Sequence, residues 1–406
     1  MLGAAVAVFV DGNPVVDLWG GVADRRNGRA WSQDTLIMVF SSTKGATALC
    51  AHVLHARGRL DLDAPVARYW PEFAAAGKEQ LPVRMLLNHH AGLPAIDQRL
   101  PPEALFDWHT MTAALAAQAP HWPPGTAHGY HAMTFGWLVG EVVRRISGKS
   151  LGTFFREEIA QPLGLDFWIG LPEALEPRVA TIRMPPPARE SSPLLTAMYD
   201  RTTLTAKAFL NPRGLMTPGQ ANARAMHAAE VPAANGICTA RALAKMYVPL
   251  ACGGRCDGIE LVDRETLQIM RTVESDREDR VLLIPTRFAS GFMKSVDNRP
   301  RDTALLGPNP KAFGHVGRGR LVRDGGPNRT GRYRLRDEPD GPGHSAQRPR
   351  PSTDRRRVRL PLNLTPSGTR ERKRSCAACS RDTRDACVRV CAPATAPRRR
   401  ASRTRS

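Results

Sequence analysis

No apolar run in this 406-residue chain approaches the length of a membrane-spanning helix. The apolar opening from Met1 to Val10 lacks a basic region and runs straight into Asp11-Gly12. No small-residue cleavage site follows it, so it reads as a strand and not as a secretory signal. Cysteine is sparse, with eight residues. Cys50, Cys238, Cys252 and Cys256 stand at spacings that suggest no disulfide framework, and Cys50 sits in an apolar helical stretch as a buried thiol would. His121, His128 and His131 cluster in sequence, but no carboxylate or cysteine spacing completes a metal site around them. These absences lead to the expectation of a soluble, cytoplasmic protein with no metal and no cofactor.

Charge is plentiful, and its distribution matters more than its total. The formal net charge of +20 would suit nucleic acid or an anionic surface. From Gly317 to Ser406, however, 25 Lys and Arg face 8 Asp and Glu, and the remaining 33 and 30 nearly cancel. Residues 1–316 are therefore an ordinary, almost neutral chain, long enough for a sizeable core. The segment 318–406 is rich in Arg, Pro, Gly, Ser and Thr, has Tyr333 as its one aromatic residue, and shows no sustained apolar periodicity. Such a segment cannot bury enough apolar surface to offset its ordering entropy, so disorder is expected. The change is abrupt enough to suggest a shift of reading frame near residue 318. Nucleic-acid binding by this basic tail is one rival function, although no specific nucleic acid is expected as partner. A zinc module built on Cys376, Cys379, Cys387 and Cys391 is another, but the apolar residues it would need are nearly missing.

The periodicities place strands first, helices next, then strands again. Residues 3–10 and 14–19 read as a hairpin around Asp11-Gly12-Asn13-Pro14. Residues 35–40 read as a third strand, and 42–56 as a helix closed by Gly58. Residues 59–200 look mainly helical, with a clear helix over 134–146 and a loop at Pro185-Pro186-Pro187. Another helix is expected over 236–250, and strands over 281–284, 288–293 and 312–316. The order implies an α/β (α+β) fold: an antiparallel sheet flanked by helices and closed by both ends of the chain. The expected domains are 1–58 with 201–317 as the sheet domain, and 59–200 as the helical insertion.

Ser41-Ser42-Thr43-Lys44 carries the chemistry. Positions i and i+3 share a helix face, so a lysine there reaches the serine hydroxyl. A hydroxyl is a weak nucleophile until a base takes its proton, and a lysine of depressed pKa can do so. Ser41 also falls where a strand meets a helix, a place where backbone N–H groups can face an oxyanion. Taken alone, the spacing occurs by chance in chains of this length.

The surrounding residues supply a family. Val39-Phe40-Ser41-Ser42-Thr43-Lys44-Gly45, then Gly58-Arg59-Leu60-Asp61-Leu62-Asp63, resembles the serine β-lactamase-related hydrolases. That group takes in class C β-lactamases, D-Ala-D-Ala carboxypeptidases and β-lactamase-like esterases. Leu86–Pro94 resembles the family's LLxHxxGLP loop, Gly129-Tyr130-His131-Ala132 its tyrosine motif, and Phe313-Gly314-His315-Val316-Gly317 its last motif. The resemblance covers about residues 3–317 and implies a β-lactamase/transpeptidase-like fold, incomplete at both ends: the opening helix is missing, and strand-like sequence stops at Arg318. It implies that Ser41 is acylated, that Lys44 holds a low-pKa amine, and that Tyr130 passes the proton. It further implies an oxyanion hole from the N–H groups of Ser41 and of Arg318, the residue after Gly317. His315 stands where β-lactamases present a lysine to the substrate carboxylate, and Ala132 replaces the polar residue of Tyr-x-Asn. Both departures favour a carboxylesterase-like hydrolase acting on a small ester or amide. An inactive scaffold of the same fold is the alternative for residues 1–317. His89 and His90 read as loop and core residues.

Overall fold

The computed structural model describes residues 3–183, 192–215, 217, 219–296, 306, 309 and 311–317, and the backbone of 387–391. Arg318, Cys376, Cys379 and the Pro185-Pro186-Pro187 loop lie outside the described residues.

Asp11 and Gly12 both take positive φ, +49° and +82°, the backbone of a tight two-residue hairpin. They join β1 (Ala4–Val10) to β2 (Asn13–Gly20), antiparallel with Ala4 opposite Gly20. β1 buries Ala7, Val8 and Phe9, whereas β2 exposes Val15, Leu18 and Trp19. The other edge of β1 pairs with β14 (Cys387–Cys391). This strand corrects the expectation that nothing regular follows Gly317. Its sequence alternates Val388 and Val390, which suits a strand, and an open neighbouring edge supplies the ladder.

A second sheet runs β10 (Val273–Glu278), β11 (Pro285–Ala289), β12 (Phe292–Lys294) and β13 (Phe313–Gly314), antiparallel throughout. Two expectations are corrected here. Residues 281–284 form a turn and not a strand, because the Asp279 carboxylate accepts the N–H groups of Val281 and Leu282, both at 2.8 Å. Residues 288–293 are two strands and not one, reversed at Gly291, whose φ is +81°. β10 escaped the periodicity because Val-Glu-Ser-Asp-Arg-Glu is largely charged, and four of its six residues are exposed.

Three short strands frame the start of the first long helix. β5 (Ile37–Met38) pairs with β7 (Ile237–Cys238), which pairs with β6 (Phe167–Trp168). The stretch 35–40 is thus extended over two residues only. The helix expected from Gly236 begins instead at Ala240, where the Thr239 hydroxyl accepts the N–H of Ala242. Small hairpins β3 (Val22–Asp24) with β4 (Arg29–Ala30), and β8 (Arg255–Cys256) with β9 (Ile259–Glu260), complete the strands among the described residues.

The helices carry the core. α1 (Thr43–Ala56) is buried from Thr43 through Leu54, as its small and apolar sequence requires. α2 (Val83–Leu87) and α3 (Trp108–Ala117) precede α4 (Thr134–Ser147). α4 buries Trp137, Leu138, Val142 and Val143 in one cluster with Leu49 and Val53 of α1, and ends on Gly148 at φ +74°. Gly136 sits where α4 passes the loop 231–236. A Cβ there would come within 2.5 Å of the Ala233 nitrogen and 2.9 Å of the Pro232 carbonyl carbon.

Gly136→Ala sets two effects in opposition. Helix propensity favours alanine by up to about 1 kcal/mol, while the clash with fixed backbone costs about 1–3 kcal/mol. The clash wins, so urea unfolding should show a lower midpoint for the variant. A midpoint equal to or above that of the parent would mean that the loop yields freely.

Candidate active site

Ser41 lies in a single 3-10 turn, Phe40–Ser42, between β5 and α1. The Val39 N–H donates to Gly236 O at 2.8 Å, which fixes the chain just before the turn. Phe40 then takes φ +48°, a left-handed conformation that costs energy for an aromatic residue and that the surroundings must impose. The Thr43 hydroxyl helps to impose it, donating to Phe40 O at 2.5 Å while accepting the Gly236 N–H at 2.8 Å. The result presents a half-buried Ser41 at the head of α1.

Lys44 follows one turn later with its side chain fully enclosed, 0% exposed. Its Nζ lies 3.4 Å from Ser41 Oγ and donates to Ala132 O at 2.7 Å and Ala233 O at 2.9 Å. Among the described residues no carboxylate pairs with it. Burial alone therefore pushes its pKa well below the usual lysine range. Tyr130 shields the amine, which lies 4.7 Å from the centre of its ring. The Tyr130 hydroxyl is hydrogen-bonded to Ser41; burial raises its pKa, and the contact with Ser41 opposes the rise. Ser41, Lys44 and Tyr130 thus meet at one point.

Tyr130 is held by both backbone and ring. Its N–H donates to the Asp279 carboxylate at 3.0 Å. Its ring stacks on Phe288 at 6.1 Å and meets His89 edge-on at 5.2 Å. His131 ties the LLxHxxGLP-like loop to the tyrosine segment: Nδ1 donates to Gly129 O at 2.8 Å, and Nε2 accepts the Leu93 N–H at 3.1 Å. The His131 N–H in turn donates to His89 Nδ1 at 3.2 Å. These roles require a neutral imidazole, and burial lowers the pKa of His131 to about 3.

His315 follows β13 and completes the wall, with its ring centre 6.0 Å from that of Tyr130. The Ser42 hydroxyl donates to His315 O at 3.2 Å, which docks this last segment onto the turn that carries Ser41. His315 Nδ1 lies 2.8 Å from Val316 O, while Nε2 is buried with no partner among the described residues. With Nδ1 as the donor, Nε2 offers a lone pair, and burial followed by the nearby Lys44 lowers the pKa to about 3. Gly317 is half-buried beyond it. The second expected oxyanion group, Arg318, lies outside the described residues.

Four contributions were missed in the sequence. The carbonyls of Ala132 and Ala233 hold the Lys44 amine, and no side chain marks such acceptors. Asp279 fixes Tyr130 from a charged stretch with no periodic signal. Buried Asn235 keeps Ala233 in place, accepting the Val231 N–H at 2.9 Å and donating to Met226 O at 2.8 Å.

Comparison with known proteins gives the family and the fold. The family description "Beta-lactamase" matches residues 1–327. An esterase/beta-lactamase, LipL, of Mycobacterium tuberculosis is 42% identical over 324 residues, 78% of this chain and 72% of that protein. The crystal structure of a family VIII carboxylesterase superposes with a TM-score of 0.70 at 41% identity, covering 79% of this chain and 82% of the other. A penicillin-binding protein homolog from Caulobacter crescentus gives the same score and coverage at 38% identity. Fold and relatives define a serine hydrolase. More narrowly, the chain belongs to the β-lactamase family. Among the described residues no helix is long and apolar enough to cross a membrane.

The buried histidines give the protein an acid weakness. His52, His128, His131 and His315 are at most 2% exposed, and burial lowers each to about 3 or 4. The unfolded chain titrates at about 6.5 and so binds protons that the folded chain refuses. Stability is therefore full above about pH 6.5 and falls toward the folded values near 3 to 4. The loss between pH 7 and pH 5 is on the order of 1–2 kcal/mol per histidine. Urea titrations at the two pH values check this, and equal midpoints would contradict it.

Proposed function

We propose that the protein is a carboxylesterase-like hydrolase that works through an acyl-Ser41 intermediate. The observation that carries the proposal is the enclosed Lys44 amine 3.4 Å from Ser41 Oγ. A neutral amine has two N–H bonds and one lone pair. The carbonyls of Ala132 and Ala233 take the two N–H bonds. The lone pair is left for the Ser41 hydroxyl.

In this mechanism Ser41 Oγ bonds to the ester carbonyl carbon as its proton passes to Lys44 Nζ. The ester C–O bond then breaks, and the leaving alkoxide takes a proton through the Tyr130 hydroxyl, which Lys44 replenishes. Water attacks the acyl-Ser41 carbonyl by the same route in reverse, releasing the acid and restoring the serine. The Ser41 N–H and that of Arg318 are the proposed oxyanion donors. A neutral His315 offers no positive charge to a substrate carboxylate, and Ala132 offers no side-chain amide. Both support neutral esters over β-lactams or peptides. The relatives named as an esterase/beta-lactamase and a carboxylesterase support the same class.

Labelling the intact chain with a fluorophosphonate tests the nucleophile. One adduct, located on Ser41 by peptide mass and lost in Ser41→Ala, is the expected result. Folded protein that takes no label would reduce the chain to an inactive scaffold.

The general base has a separate test in pH. Lys44 works only while unprotonated, so kcat/KM for a neutral ester falls as pH drops through its depressed pKa. That limb should lie well below the range of an ordinary lysine. Burial lowers His131 and His315 to about 3, and Lys44→Arg separates their titration from that of Lys44. Lys44→Arg, which stays charged, should lower kcat by on the order of 100-fold or more. A limb that survives unchanged in Lys44→Arg would assign the base elsewhere.

A further inference from the structure

The helix Leu204–Leu210 faces two ways. Ala208, with Leu204 and Phe209, packs into the cluster that contains Tyr130, Ala95 and Phe288. Lys207 and Leu210 instead line a separate cavity of about 660 Å³, a volume typical of small-molecule sites. Four cations border that cavity, Arg99, Arg201, Lys207 and Arg213, against one carboxylate, Asp97. Asp97 is already occupied: it pairs with Lys207 at 2.6 Å and accepts the Gln118 side-chain amide at 2.9 Å. The neighbouring Asp200 is turned onto Thr202, accepting its N–H at 2.9 Å and its hydroxyl at 2.7 Å.

Arg99, Arg201 and Arg213 make no ion pair or hydrogen bond within the protein among the described residues. Some surface arginines find carboxylates, as Arg84 does with Asp63 and Arg287 with Asp276, and others, such as Arg68 and Arg255, have none among the described residues; what sets Arg99, Arg201 and Arg213 apart is that they border one cavity. Three uncompensated guanidinium groups around one concave space are a forked donor set for a carboxylate or phosphate. Leu100, Pro101, Pro102 and Leu210 give the same cavity apolar wall.

We infer that this cavity binds a small anion carried on an apolar arm, a medium-chain carboxylate or phosphate monoester. The guanidinium groups hold the anion, and the leucine and proline surfaces take the arm. Ser41, Lys44, Tyr130 and His315 do not line this cavity, and the inference does not depend on how Ser41 reacts.

Calorimetric titration of the full chain bearing Ser41→Ala tests the inference, with octanoate, octyl phosphate and uncharged octanamide as probes. At least one anion should bind saturably at one site, with octanamide at least tenfold weaker. Added salt should weaken the anion and leave octanamide unchanged. The tighter of the two anions identifies the source as carboxylate or phosphate. Arg99→Ala combined with Arg213→Ala should lose at least tenfold in anion affinity. Both side chains are exposed and make no hydrogen bond or ion pair among the described residues, so the melting curve should match the parent. No anion binding, equal binding of octanamide, or undiminished binding in the double variant would each overturn the inference.

Discussion

Enclosing the Lys44 amine away from water is the constraint that the rest of the site answers to. An unpaired ammonium in such a place is costly, so burial lowers the pKa of the group. In the neutral form required by the proposed mechanism, two N–H bonds need two acceptors. Ala132 and Ala233 provide them from segments 88 and 189 residues away. The close approach of α4 at Gly136, the Asn235 brace and the Thr43 hydroxyl all serve to place those carbonyls and the turn before α1. A small shift in any of them would open the amine to water or leave an N–H unpaired.

The site is built by backbone as much as by side chains. The strained Phe40, the short strands β5 and β7, and the docking of Ser42 on His315 O all set where the Ser41 hydroxyl points. Tyr130 owes its place to a carboxylate on its N–H and to a ring cluster around His89 and Phe288. Histidines that might suggest metal or proton transfer are spent on hydrogen bonds, His131 on backbone and His128 on the Thr286 hydroxyl. His315, like His52 and His128, keeps one buried ring nitrogen without a partner among the described residues.

Much of this was legible in the residues. The hairpin at Asp11-Gly12, the helices after Thr43 and Thr134, and the grouping of Ser41, Lys44 and Tyr130 follow from turn chemistry, apolar spacing and motif order. Strand β10 was not legible because its residues are charged and solvent-facing. Residues 281–284 misled because four apolar residues fit a turn as readily as a strand once Asp279 captures their N–H groups. Strand β14 could not be foreseen from an arginine-rich segment, where two valines carry the whole signal. The acceptors of Lys44 are main-chain atoms of alanines, which no residue pattern announces.

The bond from Ser42 to His315 O spans 273 positions, and that from Lys44 to Ala233 O spans 189. Contacts of such separation close late, after most of the chain entropy has been surrendered. No fragment of the nascent chain can hold the serine, the amine and the last wall together. On the proposed mechanism, the onset of hydrolysis would mark the closing of these long-range contacts.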